Sequence, residues 1–89
     1  MDYHYPIDPD WTTEQVLIVI EFFNKIEAAY EDKVSSSEVI QAYNQFKTVI
    51  PAKDEEKQMF KSFEKQTGYV PYKVVKEAKA EPDNSVFHM

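Results

Sequence analysis

The sequence predicts an all-α fold: a compact array of about four helices with an extended N-terminal arm. Three observations carry this. Apolar residues recur at three- and four-residue spacing in successive stretches, the mark of helices with one buried face. Start and stop residues bound those stretches where helices need them. The connections between them are short, which brings neighbouring helices together in one array.

The first helix is the clearest. In "TTEQVLIVIEFFNKIEAAY", Thr12 is a cap and Gln15, three residues on, its capping-box partner. Glu14 adds a favourable acid to the first turn. Val16, Val19, Ile20, Phe23, Ile26 and Tyr30 share a face, and Leu17, Ile18 and Phe22 widen it. A helix apolar over that much of its circumference is expected at the centre of the array. The second helix opens at "SSSEVIQAYNQFKTVIP", with Ser35 and Glu38 in a second capping-box pattern. Val39, Ile40, Tyr43, Phe46, Lys47 and Ile50 lie on one side, and Pro51 ends it. The third helix, "AKDEEKQMFKSFEKQT", starts on Asp54, Glu55 and Glu56 and buries Met59, Phe60 and Phe63. Gly68, the only glycine, stops it in the left-handed conformation that glycine adopts most readily. The fourth, "PYKVVKEAKA", starts on Pro71 and turns Tyr72 and Val75 inward, with Ala78 and the stem of Lys79 as further candidates. Residues 81–89 show no pattern and are expected to form a flexible tail. Residues 1–11 read as a packed arm in which Pro6 and Pro9 fix φ. Tyr5 and Ile7 lie along the bundle, and Trp11 sits where a hydrophobic staple meets Val16.

All 89 residues form one domain, 43% apolar and 15% aromatic. A chain of this size builds one core and little room for a deep, dry pocket. It has no cysteine, which excludes disulfides, thiol catalysis and zinc–thiolate sites and suits a reducing compartment. "MDYHYPIDPD" is acidic and does not read as a signal peptide. "VLIVI" is much too short to span a bilayer. The expectation is a soluble, cytoplasmic protein without a membrane partner. The net charge of −6 is uneven: residues 1–46 hold nine acids and two lysines, residues 47–89 seven acids and eight lysines. All ten basic residues are lysine. Without the guanidinium fork, phosphoryl transfer and sequence-specific nucleic-acid recognition are disfavoured.

"YPIDPDW", "EFFNKIEAAYE", "FKTVIPAKDEEKQ" and "FEKQTGYVPYKVVKEAK", in this order and spacing, resemble a small uncharacterised family of Gram-positive bacteria, the YktA-like family. The resemblance runs from Tyr5 to Lys79. It implies a bundle of about four helices and brings no activity. The sequence departs from the family pattern near Lys33, where glycine is common, and near Ala52, where serine is common. The first helix must therefore close without glycine and the third start without a hydroxyl cap.

Each candidate for chemistry has a plainer reading beside it. His4, Asp8 and Asp10 hold the donors of a facial metal triad on a proline-stiffened loop, but solvated charge with capping duties explains them better. The acids form no dyad: Glu55 and Glu56 point about 100° apart on a helix. No serine or threonine has a histidine partner near a helix-framed site, and no glycine-rich loop cradles phosphate. No catalytic, metal or cofactor-binding residue is assigned, and no cofactor is expected. Lys53, Lys57, Lys61 and Lys65 recur every four residues, on the side opposite Met59, Phe60 and Phe63, with Lys73 and Lys76 as extensions. They read as a solvated face with pairs Asp54–Lys57 and Lys61–Glu64, or as a stripe for an acidic partner or an RNA backbone. Tyr69 and Tyr72 in "GYVPY" either close a core corner or supply an interface.

The reading that follows is a non-catalytic protein-interaction or regulatory module with an unidentified protein partner. An RNA- or nucleoprotein-associated factor using the lysine face is the alternative, and a small metal-dependent enzyme the third. Head-to-tail contact between copies would suit the uneven charge.

Overall fold

The computed structural model describes residues 8–83 and 85–89. Four helices follow in order: α1 Thr13–Glu31, α2 Ser36–Val49, α3 Lys53–Thr67 and α4 Pro71–Ala80. Two short strands, β1 Val34–Ser35 and β2 Val86–Phe87, pair antiparallel with Val34 opposite Phe87. Among the described residues the fold is all-α with this two-residue ladder added. Tyr5, Pro6 and Ile7 of the expected arm, and His4, lie outside the described residues. No helix among the described residues is long and apolar enough to cross a membrane.

The helix boundaries follow local chemistry. Thr12 and Gln15 form both halves of the capping box: the Gln15 N–H donates to Thr12 Oγ1 at 3.2 Å, and the Thr12 N–H to Gln15 Oε1 at 2.9 Å. Just upstream, Asp8 orders the entry to α1. Its carboxylate accepts from the Asp10 N–H at 2.8 Å and its carbonyl from the Trp11 N–H at 3.1 Å, a local turn of the kind aspartate favours. Gly68 ends α3 with φ 78°, donating its N–H to Glu64 O at 2.7 Å. α1 closes without glycine on Asp32, at φ −149° and ψ −126°, with its N–H on Ala28 O. α3 starts on Ala52 with no side-chain cap.

The second capping box does not form. Ser35 is the cap residue but makes no capping bond. Its backbone is extended, as at Thr12, but its hydroxyl lies 2.9 Å from Ser37 Oγ. Glu38 turns to Lys25 instead, at 3.8 Å.

α1 packs against α2, α4 and β1, while α4 packs against α1, α2 and α3. The centre of the core is phenylalanine. Phe22 stacks on Phe46 with centroids 4.7 Å apart, and Phe23 meets Phe63 of α3 at 4.6 Å. Phe60 of α3 lies 5.7 Å from Phe22. Such pairs add to the burial term when offset or edge-on. Val19, Ile26, Ala29, Val39, Ile50, Val74 and Ala78 complete the core. α1 is central as expected, but Leu17 is not part of its buried side and is 61% exposed. On α4, Val74 rather than Tyr72 turns inward beside Val75.

The segment expected to be a flexible tail is instead a docked strap. Ser36 donates its N–H to Ser85 O at 2.7 Å and its hydroxyl to Pro82 O at 3.0 Å. The Met89 N–H donates to Ala29 O at 2.8 Å, and a His88 ring nitrogen lies 3.1 Å from Tyr30 O. Phe87 is buried in the core between these anchors. A two-residue strand leaves no periodicity to read, and the anchors at Ser36 and Ala29 are remote in sequence.

Candidate functional site

An open groove of about 590 Å³ lies between α3 and α4. The loop from Gly68 to Val70 turns the chain back on itself, so both helices contribute a wall. Phe60, Val70, Pro71 and Val75 give it an apolar floor, joined by Tyr43 from α2. Lys53, Lys57 and Lys61 line the α3 side, and Lys76, Lys79 and Tyr72 the α4 side. Glu56 and Glu64 are the only acids among its lining residues. Five lysines against two glutamates make the groove +3, so the rest of a −6 chain carries −9.

The lysine row does not lie opposite the apolar face of α3. At 100° per residue, Lys53 sits about 20° from Phe60, Lys57 about 60°, Lys61 about 100° and Lys65 about 140°. The first three therefore stand beside the floor residue, while Lys65 rotates away and does not line the groove. The same wheel on α4 puts Lys79, Tyr72 and Lys76 within about 100° of Val75 and Lys73 about 160° away. Lys73 is accordingly absent from the groove. Lys79 and Tyr43 are groove residues that spacing along α3 alone missed. A wheel centred on Phe60 and Val75, instead of on the lysines, holds the signal for Lys79.

Electrostatics divides the groove. At one end, Lys47 pairs with Glu56, whose side chain is only 14% exposed, and also donates to Pro51 O at 3.3 Å. The Tyr43 hydroxyl donates to the other Glu56 oxygen at 3.1 Å. Burial, then this bond and the carboxylate charge beside it, push the Tyr43 pKa up to about 12. Glu56 is thus satisfied from two sides and ties the end of α2 to the start of α3. Lys79 Nζ lies over the Tyr43 ring, 5.3 Å from its centroid, a cation–π contact. The remaining rim cations differ. Among the described residues, Lys53, Lys57, Lys61 and Lys76 take part in no ion pair. The pairs Asp54–Lys57 and Lys61–Glu64 do not close within 4.0 Å.

The two tyrosines of "GYVPY" separate. Tyr69 stacks on Tyr30 at 4.6 Å, and its hydroxyl donates to Glu31 at 2.7 Å, which closes the corner between α1 and the α3–α4 loop. The Tyr30 hydroxyl in turn accepts from the Val70 N–H at 3.1 Å. Tyr72 is 62% exposed at the mouth of the groove. Trp11, the described member of the arm set, is half-buried against the core. Asp8 and Asp10 are exposed, and Asp8 serves the turn into α1.

Two further depressions among the described residues are smaller. One of about 470 Å³ runs along α2 beside Ile40, Gln41 and Asn44 and offers uncharged amides. One of about 300 Å³ lies between α1 and α2, where Lys25 already bridges Glu21 at 3.3 Å and Glu38.

Comparison with known proteins places residues 2–87 in the range of a family described as "Uncharacterised protein family (UPF0223)". A UPF0223 protein of Staphylococcus epidermidis is 51% identical over 87 residues, 98% of this chain and 95% of that one. One from Staphylococcus aureus is 49% identical over 79 residues, 89% of this chain and 87% of that one. One from Bacillus pumilus is 43% identical over the full length of both. The expected resemblance to an uncharacterised Gram-positive family agrees with these relatives.

Proposed function

The chain belongs to the uncharacterised UPF0223 family, and we propose that it is a non-catalytic interaction module of the cytoplasm that docks an acidic protein segment in the α3–α4 groove. One observation carries this reading. Four lysines that make no ion pair among the described residues rim an apolar floor, on a chain that is otherwise strongly acidic. Clustered like charges repel, and a solvated helix face gains by interleaving acids with them. Here Glu56 is occupied by Lys47 and Tyr43, and Asp54 and Glu64 close no ion pair with the rim lysines among the described residues. An apolar floor beside uncompensated cations is complementary to a surface that brings carboxylates and an apolar anchor. Tyr72 at the mouth is the residue type that interfaces favour.

A nucleic-acid backbone would also meet the lysines. Two features weigh against it. The chain has no arginine, and a long polyanion leaving a +3 groove runs onto a surface carrying −9. A short acidic segment stays within the groove.

The test is site-specific photocrosslinking in cells. A photoreactive residue at Tyr72 or Lys61 gives a discrete adduct that is lost on Lys57→Glu, and the same residue at the exposed Thr48 gives none. Equal adducts at all three positions, or adducts to RNA alone, refute the proposal.

A further inference from the structure

We infer that the occupant of the groove is an acidic amphipathic helix, lying along α3 and α4 with its apolar side on the groove floor and against the exposed Tyr72. This rests on the docking reading above and goes further, to the conformation and chemistry of the partner.

The backbone of the groove decides the conformation. Both walls are α-helices, which offer no strand edge: beyond their first turns, at Lys53 and Tyr72, their N–H groups are satisfied within each helix. The floor is side-chain carbon. An extended peptide laid here meets no strand edge, and each of its buried backbone groups loses water without gaining a partner. A helix brings its backbone already paired. It presents apolar residues at three- and four-residue spacing and flanks them with charge, as helix-in-groove recognition requires.

The dimensions agree. Lys53 to Lys61 spans eight residues, about 12 Å of helix, and the ten residues of α4 span about 15 Å. The lysines therefore cover two to three turns of a partner. They stand on both rims, Lys57 and Lys61 on one and Lys76 on the other. A helix with one apolar stripe and glutamates on both shoulders matches both rims at once. The apolar stripe alone would match the floor and leave the four cations as they are.

The test uses the full-length chain and labelled synthetic peptides, read by fluorescence anisotropy at physiological salt. The first peptide is a helix of about 14 residues, roughly 21 Å long, held by side-chain lactam bridges, with a leucine stripe between glutamates. The second has the same composition with two central prolines. The third replaces glutamate with lysine. The fourth probe is an oligouridine RNA. The helical acidic peptide is expected to bind saturably and at least tenfold more tightly than the other three. Its affinity should fall at least tenfold in Lys57→Glu/Lys76→Glu and stay within twofold in Lys33→Glu, an exposed lysine away from the groove. Circular dichroism confirms that each variant is folded. If the proline peptide binds as well as the helix, the helical inference is overturned and the docking reading stands. If neither acidic peptide binds, both fail. Tighter binding of RNA overturns both in favour of nucleic acid. Salt-sensitive self-association, lost in the double variant, makes a second copy of the chain the occupant and overturns the inference.

Discussion

Replacing Phe87 by alanine tests the least expected part of this fold, the docked C-terminal strap. The ring is 8% exposed and belongs to the core cluster, opposite Val34 in the two-strand ladder. Burying about 150 Å² of aromatic surface at roughly 25 cal/mol/Å² is worth about 4 kcal/mol. Alanine keeps somewhat under 1 kcal/mol of that. The strap lies at the edge of the core and can settle inward, so no cavity term is added, and about 3 kcal/mol remains. Against a total of about 5–10 kcal/mol for a domain of this size, that is a large share. With a urea slope of about 1 kcal/mol/M, the unfolding midpoint should fall by about 3 M. The melting temperature should drop by roughly 12–24 °C. Val86→Ala is the internal control: Val86 is 62% exposed on the other side of the same strand and should cost about 0.5 kcal/mol or less. A loss below about 1 kcal/mol for Phe87→Ala, or one equal to that of Val86→Ala, refutes the docked strap.

Gly68→Ala should cost about 1 kcal/mol. The new Cβ meets nothing within 4 Å, so the loss comes only from holding alanine at φ 78°, and an unchanged melting temperature would show the turn relaxing freely. Tyr43 should titrate near pH 12 in the difference between the tyrosinate absorbance of the wild type and Tyr43→Phe, and Glu56→Gln should lower that value. The sign is set by a folded-state pKa above the ordinary 10. The contribution of Tyr43 is complete below pH 10 and is lost between pH 10 and 12, as the unfolded chain releases its proton first. The comparison with Glu56→Gln isolates the contribution of the carboxylate. Trp11→Ala should cost about 2 kcal/mol, less than for a fully buried tryptophan, and more than Asp8→Ala. The reverse ranking in urea melts would make the aspartate the more important residue of the entry to α1.

What was legible in the sequence is what acts within one turn of the chain. The Thr12–Gln15 box, the stop at Gly68 and the end of α2 before Pro51 are local hydrogen-bonding and φ preferences, and each holds. The Ser35–Glu38 box is equally local and fails, because the Ser35 hydroxyl meets Ser37 and Glu38 turns to Lys25 on α1. Leu17 and Tyr72 have the right composition for a core and the wrong azimuth. Only the crossing of α1 with its neighbours, or of α4 with α3, decides which side of each helix is covered. The groove was half legible for the same reason. The lysine repeat is visible along α3, but a groove needs a second wall, and Lys79 and Tyr72 come from α4.

The lysine rim also separates a role in folding from a role in binding. If Lys53, Lys57, Lys61 and Lys76 held the helices together, each would need a partner or a buried stem. They are exposed and make no ion pair among the described residues. Lys53, Lys57 and Lys61 stand four residues apart, where like charges on a helix repel. Replacing Lys57, Lys61 and Lys76 together by glutamine should therefore leave stability within about 0.5 kcal/mol, or raise it slightly at low salt, a gain that added salt removes as it screens the repulsion. Peptide binding should be lost in the same protein. A destabilisation above about 1 kcal/mol would mean that the lysine stems cover Phe60 and Val75 as part of the core. The rim would then be structural, and the groove would owe its charge to packing, not to a partner.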